Sequence, residues 1–388
     1  MKLTSGYTTI TTACSGHALY FRLSAQQHRR QNRFNQDSPS QAIAATEWPK
    51  YLLGAWLAIL TWLVPMPIIA EGLQQPLNLS QEPIQPLPVP AGLDPRKVIL
   101  GEKLFNEPRL GRDNDMACST CHQLNDNGAN HLSYNLGRDG IKLDANTLTV
   151  FNSSLNHHLF WDGRARNLEE QIDFVVHSPK EFATSWPVII NKLKQDEGYK
   201  QTFNTLYSDG ITADNIRNAI AIFERSLVTV NSRFDQFLRG DADAISAKEK
   251  SGYQLFKAYG CIACHQGQNV GGNLFMKFGI FYDHFSGRSD LNPADLGRFN
   301  VTGSPSDRHV FRVPSLRLAA LTAPYFHDGS VGTLEAAIRV MAKYQLGRVI
   351  PEQDVIRIAA FLKSLVGEYQ GRRLGMPSSG QSAAGEAP

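Results

Sequence analysis

The amino-acid sequence predicts a mostly α-helical protein whose body consists of two similar domains. Three observations support this: apolar residues recur at helical spacing in several segments, alternating strands are scarce, and one helix–loop–cysteine unit occurs twice. The chain has 388 residues, of which 42% are hydrophobic and 19% are charged, enough for two or three ordinary globular domains.

The repeated unit defines the two predicted domains, residues 94–245 and 246–375. Asp94 is suited to cap a helix whose first position is a proline, in DPRKVILGEKLF. This segment and SAKEKSGYQLFKAYG share the pattern Gly-x-x-Leu-Phe, at Gly101–Phe105 and Gly252–Phe256. In both, a CxxCH motif follows.

Further helices are predicted from apolar periodicity in residues 186–207, 212–228 and 351–369. The last of these places four apolar side chains on one face: Ile358, Phe361, Leu362 and Leu365.

The N-terminal 93 residues precede this body. Residues 1–50 are polar, contain the lone Cys14 and are predicted to be disordered. Residues 51–70 carry no charge and are long enough either for a membrane anchor or for the apolar part of a signal peptide. Both interpretations export the rest of the chain. Residues 71–93 are predicted to be a Pro-rich linker, and residues 376–388 a flexible tail.

The net charge of +3 is small, and no basic run is interleaved with aromatic residues. The composition therefore argues against nucleic acid as a partner.

The two CxxCH motifs carry the strongest chemical signal. Two thiols separated by two residues can form thioethers with the two vinyl groups of one haem, and the following His can then ligate its iron. Cys118, Cys121 and His122 are predicted to hold one haem c. The second haem is predicted to be held by Cys261, Cys264 and His265. The alternatives are zinc, which normally needs closely spaced CxxC pairs, and a redox dithiol, which does not need the trailing His.

The opposite face of the second haem requires its own candidate ligand. Met341 lies in a helical stretch downstream of the second motif, and a thioether opposite His raises the potential of a haem. On spacing alone, Met341 is equally compatible with a core position.

The segments FWDGRARNLEEQ (160–171) and LTAPYFHDGSVGTLEAAIRVMAKYQLG (321–347), together with the two CxxCH motifs, resemble the bacterial dihaem cytochrome c peroxidase family, which includes the related methylamine-utilisation dihaem enzymes. The resemblance spans about residues 94–370 in matching order. It implies two cytochrome c-like haem domains, the first peroxidatic and the second for electron transfer.

Several site residues are implied by this resemblance rather than by spacing. Met341 matches the methionine ligand of the electron-transfer haem, and Trp161 matches a tryptophan that relays electrons between the haems. Gln171 and Glu181 match the polar pair over the peroxide site. One carboxylate there can both accept and return a proton during peroxide cleavage.

The resemblance also implies a calcium ion between the domains, a homodimer and a periplasmic location, with a membrane tether if residues 51–70 are retained. The matching calcium ligands are the side chain of Asn146 and the backbone oxygens of Thr322 and Pro324. The implied reaction is reduction of hydrogen peroxide to water, with electrons from a small cytochrome c or a blue copper protein.

One departure from the family pattern concerns the first haem. Many members carry a His in a Gly-His-Gly-like loop that blocks this haem until the second is reduced. Here the aligned loop is NLGRDG, with Arg138 in that position and His131 nearby but out of register. We therefore expect the first haem to be open in the oxidised protein, with His131 as the rival ligand.

Two other functions remain open from the sequence. One is an oxidase or maturase that modifies a partner protein through a high-valent haem pair. The other is a dihaem electron carrier with no substrate chemistry, which the segment from FWDGR to Glu181 argues against.

Overall fold

The first helix begins where its sequence predicts. In a computed structural model, which describes residues 81–375, Asp94 accepts a hydrogen bond from the backbone N–H of Arg96 at 2.9 Å, and Pro95 is the first helical residue. Capping satisfies a backbone N–H that has no partner inside the helix. The predictions for residues 1–80 and 376–388, including Cys14 and the apolar segment 51–70, lie outside the described residues.

The described residues are mostly helical, as predicted, and belong to one unit of the chain, Leu73–Pro388. The α-helices are α1 Pro95–Phe105, α2 Cys118–Cys121, α3 Leu168–His177, α4 Trp186–Leu193, α5 Glu197–Leu206, α6 Ala213–Ser226, α7 Arg233–Leu238, α8 Ala247–Ala258, α9 Phe299–Thr302, α10 Leu334–Val340 and α11 Glu352–Ser364. Short strands form two antiparallel pairs, β1 Phe275–Lys277 with β2 Val310–Arg312, and β3 Glu368–Tyr369 with β4 Arg372–Arg373.

The repeat seen in the sequence corresponds to two equivalent helix crossings. In the first half α1 packs against α6, and in the second half α8 packs against α11. The repeated glycine lies at each crossing. A Cβ atom on Gly101 would stand 2.0 Å from the Ala219 carbonyl oxygen, and one on Gly252 would stand 1.9 Å from that of Arg357. Glycine is therefore needed at both positions because the partner backbone comes too close for any side chain.

Replacing either glycine by alanine is expected to destabilise the protein by about 1–3 kcal/mol or more, because the added methyl group must push the partner helix away. The measurement is the unfolding midpoint of the G101A and G252A variants. Gly332→Ala is the matched control, since a Cβ there would have no atom of residues 81–375 within 4 Å. Midpoints of all three variants equal to that of the wild type would show that the helices do not cross this closely.

Each crossing has its own apolar core. The first contains Leu100 and Leu104 of α1 with residues of α6. The second contains the four predicted side chains, three in α11 and Leu365 directly after it, which are at most 3% exposed. Phe234 and Leu238 of α7 also belong to the second core, although they precede residue 246.

The described end of the predicted Pro-rich linker packs against the second core. Ile84 and Leu87 are fully buried, and the Pro83 carbonyl accepts a hydrogen bond from Gly267 N at 2.8 Å, just after the second CxxCH motif. This stretch is therefore part of the folded body. Among residues 81–375, no helix is both long and apolar enough to cross a membrane.

Candidate functional site

The two CxxCH motifs adopt the same local geometry. The first forms the single turn of α2 and the second a 3₁₀ turn, Cys261–Ala263. In both, the backbone N–H of the histidine donates to the carbonyl of the first cysteine. The distance is 3.0 Å for His122 to Cys118 and also for His265 to Cys261. Each motif thus presents two thiols and one imidazole from one tight turn.

Both motifs border one continuous cavity of about 880 Å³. This lies toward the upper end of the range for ligand pockets, roughly 300–1,000 Å³. The cavity is lined by all four cysteines of the motifs and by every residue predicted for catalysis, haem ligation and calcium binding: Trp161, Gln171, Glu181, Met341, His122, His265, Asn146, Thr322 and Pro324. The fold therefore gathers residues that are more than 200 positions apart in the chain.

The two motif histidines are oriented to act as ligands through Nε2. Nδ1 of His122 lies 3.2 Å from the Gly128 carbonyl oxygen, and Nδ1 of His265 lies 3.4 Å from that of Val270. A carbonyl only accepts, so Nδ1 carries the proton and Nε2 keeps its lone pair. Burial lowers the pKa of both imidazoles, that of His265 to about 4, which keeps them neutral.

The thiols fit thioether formation better than zinc or redox chemistry. Within the part of the chain that the structure describes, Cys118, Cys121, Cys261 and Cys264 form no disulfide, and burial raises the pKa of the Cys121 and Cys261 thiols to about 11. Zinc sites and redox dithiols instead need thiolates. Over residues 81–375, the cysteines and motif histidines form no cluster of three or more metal-ligating atoms within 4.8 Å. The residues present fit two haem c groups.

Helix α3 and the loop after it position the two polar residues predicted over the first haem. Asn167 caps α3 by accepting from Glu170 N at 2.8 Å, and Gln171 follows on the first turn. After the helix ends, Glu181 N donates to the Ser178 carbonyl at 3.1 Å, which turns the chain back toward the cavity.

The Glu181 carboxyl is in an environment suited to proton exchange. Burial raises its pKa, although a hydrogen bond from Ser178 and the positive charge of Arg164 act in the opposite direction. Glu181 also borders a second cavity of about 510 Å³, together with Arg164, Phe174 and Ser178, which line both cavities. Glu181 therefore lies where the two cavities meet.

Trp161 connects the two halves of the molecule. Its Nε1 donates to the Asn146 carbonyl at 2.9 Å in the first half, and its own carbonyl accepts from Arg312 N at 2.9 Å in the second. The indole and Met341 both pack against an apolar cluster that consists of Phe278, Phe285 and Phe311.

Met341 occupies an unusual backbone position. It begins a π-helical turn, Met341–Gln345, that continues α10. Such turns are rare and frequent at functional sites. Met116 and Met276 also border the cavity, so position alone does not single out one thioether.

Arg138, in the loop that departs from the family pattern, and the nearby His131 are both held away from the cavity by other partners. The Arg138 guanidinium bonds to Asp113 at 2.8 Å and to Asp139 at 3.0 Å, and Arg138 is not among the lining residues. Both ring nitrogens of His131 are engaged, Nδ1 with the Ala323 carbonyl at 3.0 Å and Nε2 with Asp126 at 2.8 Å. Neither side chain reaches the cavity in this structure.

The side-chain amide N–H of Asn146 donates to the Leu132 carbonyl at 2.8 Å, which leaves the Oδ1 atom of Asn146 for another partner.

A different cluster lies nearby in the fold: His327 contacts Asp295 at 2.6 Å, and Asp328 completes a buried group of three. These carboxylates already accept from Asn292 N and Ser330 N. No sequence motif marks this cluster.

Two further buried polar residues of the cavity were also missed. Oε2 of Glu224 has no hydrogen-bond partner among the described residues, and burial raises the pKa of this carboxyl to about 8. Arg312 is 3% exposed. Single charged residues in a helix and a strand carry no sequence signal, because exposed positions look the same.

Sequence comparison relates the chain to a known family of proteins. Residues 95–243 match the family model described as di-haem cytochrome c peroxidase. The chain is 44% identical over 289 residues to cytochrome c peroxidase Ccp of Escherichia coli, covering 74% of this chain and 62% of that protein. It is 40% identical to cytochrome c551 peroxidase of Nitrosomonas europaea, covering 74% of this chain and 85% of that protein.

A solved structure of a MauG-like protein associated with microbial copper homeostasis has the same fold, with a TM-score of 0.63 and 27% identity over 73% of this chain and 93% of that one. Fold and cavity thus define a helical protein built to hold two haem c groups. The chain belongs to the dihaem cytochrome c peroxidase and MauG family, a family of haem oxidoreductases.

Proposed function

We propose that the protein reduces hydrogen peroxide to water, consuming two electrons and two protons for each peroxide. The observation that carries the proposal is that Glu181, Gln171 and Trp161 border the same cavity as both CxxCH motifs. Haem, when bound, supplies the iron chemistry of peroxide cleavage and stores electrons. Relatives named cytochrome c peroxidases support the same reaction.

The roles of the polar residues follow from their positions. Glu181 takes a proton from the peroxide oxygen nearer the first haem and returns it to the other oxygen, which can then leave as water. The amide of Gln171 orients the peroxide by hydrogen bonding. Peroxide enters through the smaller cavity, because Glu181 borders both spaces.

Trp161 is proposed as the electron relay. Its indole packs against the apolar cluster of Phe278, Phe285 and Phe311, and its ring N–H donates to the Asn146 carbonyl. Contacts in both halves of the molecule therefore set its position. When bound, the second haem would be held by His265 and Met341 and the first by His122, and the pair would supply electron storage and transfer. The donor is a small cytochrome c or a blue copper protein.

The remaining features of the proposal concern location and assembly. The protein is exported to the periplasm, and residues 51–70 serve as a signal or a membrane tether. A calcium ion binds Asn146, Thr322 and Pro324. Two chains form a dimer. Thioether attachment of haem outside the bacterial cytoplasm supports export. The three calcium ligands supply only oxygen, which suits this ion.

We expect the fully oxidised protein to react with peroxide without prior reduction. The reason is that Arg138 is paired with Asp113 and His131 with Asp126, so neither side chain blocks the first haem. Spectra of the oxidised protein should contain a high-spin component that disappears on adding peroxide. Two low-spin, six-coordinate haems that ignore peroxide until one is reduced would contradict this expectation.

The second candidate function is modification of a partner protein by the same haem pair. The structural likeness to a MauG-like protein favours it. Turnover separates the two: rapid peroxide loss coupled to oxidation of a reduced cytochrome c supports the peroxidase. Negligible turnover with cytochrome c, but a stable oxidised state after peroxide, supports the partner-modifying enzyme.

A further inference from the structure

Three arginines are buried in the described part of the chain, and one of them lacks an acidic partner. Arg317 is paired with Asp235 at 2.7 Å, and Arg138 with Asp113. Arg312 is 3% exposed, yet within residues 81–375 no carboxylate lies within 4.0 Å of its guanidinium.

Within residues 81–375, the guanidinium of Arg312 makes hydrogen bonds only to backbone carbonyls. Nε donates to the Phe160 carbonyl at 3.2 Å and Nη1 to that of Val313 at 3.4 Å. Burial lowers its pKa to about 10, and no neighbouring charge offsets this effect. A buried charge without a counter-ion is strongly unfavourable, so the fold would not retain it unless an anion binds there.

The cavity is where that anion must lie, because Arg312 is one of its lining residues. The other cations on the lining differ from Arg312. Arg164 is already paired with Asp162 at 3.0 Å and Lys180 with Asp144 at 2.7 Å, whereas Lys277 is exposed and needs no counter-ion. Each haem brings two propionate carboxylates, which the thioether links leave free. Arginine is suited to bind such a carboxylate through two parallel hydrogen bonds.

We infer that Arg312 pairs with a haem propionate beside Trp161 and thereby sets the reduction potential of that haem. The location follows from the strand: Arg312 N donates to the Trp161 carbonyl, and its side chain reaches Phe160. The inference rests on the two haem c groups of the proposed function. A cation next to the propionate favours the reduced haem, which carries one positive charge fewer.

The test uses the full-length holoprotein and its R312Q and R312K variants, with haem content checked first. Spectroelectrochemical titration should show one haem of R312Q with a lower potential, by at least a tenfold change in its reduction equilibrium, or about 59 mV for one electron. The haem whose potential shifts is the one whose propionate pairs with Arg312. R312K retains the charge and should lie between R312Q and the wild type.

Arg372→Gln is the matched control, because it removes the same charge from an exposed residue of β4 and should shift neither potential. Unchanged potentials in R312Q with both haems bound would overturn the inference. A crystal structure of the wild-type holoprotein gives an independent answer should R312Q not fold. A propionate oxygen at hydrogen-bonding distance from Arg312 supports the pairing, whereas a guanidinium that touches only carbonyls or water refutes it.

These measurements do not depend on turnover. A protein that fails to reduce peroxide can still show the potential shift, in which case the proposed function fails and the pairing stands. If the protein reduces peroxide but its haem potentials do not change in R312Q, the proposed function stands and the pairing fails.

Discussion

Replacing Glu181 by Gln is expected to lower kcat/KM for hydrogen peroxide by roughly 10²- to 10⁴-fold, the usual contribution of a positioned acid or base. Glutamine keeps the size and hydrogen-bonding reach of the side chain but cannot carry the proton. Stopped-flow reaction of the holoprotein with peroxide measures the effect, and spectra before mixing verify that haem ligation is unchanged.

Glu197→Gln is the matched control, since Glu197 is exposed on α5 and paired with Lys200. It should react like the wild type. If E181Q keeps its rate, the proton must move through another group, of which the buried Glu224 is the next candidate on the cavity wall.

The pH profile provides a second measurement of the same role. The reaction needs the ionised Glu181, and burial raises the pKa of this carboxyl above its ordinary value. As the pH is lowered, peroxide reactivity should therefore begin to fall at a higher pH than it would if Glu181 were an exposed glutamate. The activity should be lost as the pH falls through the raised pKa of Glu181. In E181Q this acidic limb should be absent.

The second large effect concerns the thioether ligand. Leucine in place of Met341 preserves much of the volume but removes the sulfur, so the second haem should lose its methionine-ligated spectrum. Its potential should fall by at least about 120 mV, or two tenfold steps of 59 mV in the reduction equilibrium. Turnover with reduced cytochrome c should fall on the order of 100-fold, in proportion to that equilibrium.

Met276→Leu distinguishes this assignment from its rival, because Met276 borders the same cavity from β1. We expect M276L to retain the methionine-ligated spectrum and the high potential. A loss of both in M276L, with M341L unaffected, would transfer the ligand role to Met276.

Local chemistry made much of this architecture predictable. The cap at Asp94, the apolar face of α11 and the scarcity of strands depend on residues within a few turns of each other, and the structure confirms all three. The repeated glycine was recognisable as a pattern, but its cause, a backbone contact across each helix crossing, is visible only in the fold.

The environment of the site could not be predicted in the same way. Arg312 contacts Phe160, which is 152 residues away in the chain, and His131 is held by Ala323 at a separation of 192 residues. Neither pairing leaves a mark in the sequence, because the partners are backbone carbonyls that any residue possesses. The burial of Ile84 was hidden for a related reason: a Pro-rich stretch looks like a linker until another surface covers it.

The sequence by itself determined that two thiol pairs, each with its histidine, occur in two related helical units. Motif geometry is local, since five consecutive residues carry it. Only the tertiary structure decided that both motifs open into one shared cavity, that Arg138 and His131 are held away from it, and that Arg312 borders it with no counter-ion from the described residues. Those outcomes depend on which distant surfaces pack together, and packing is a property of the whole fold.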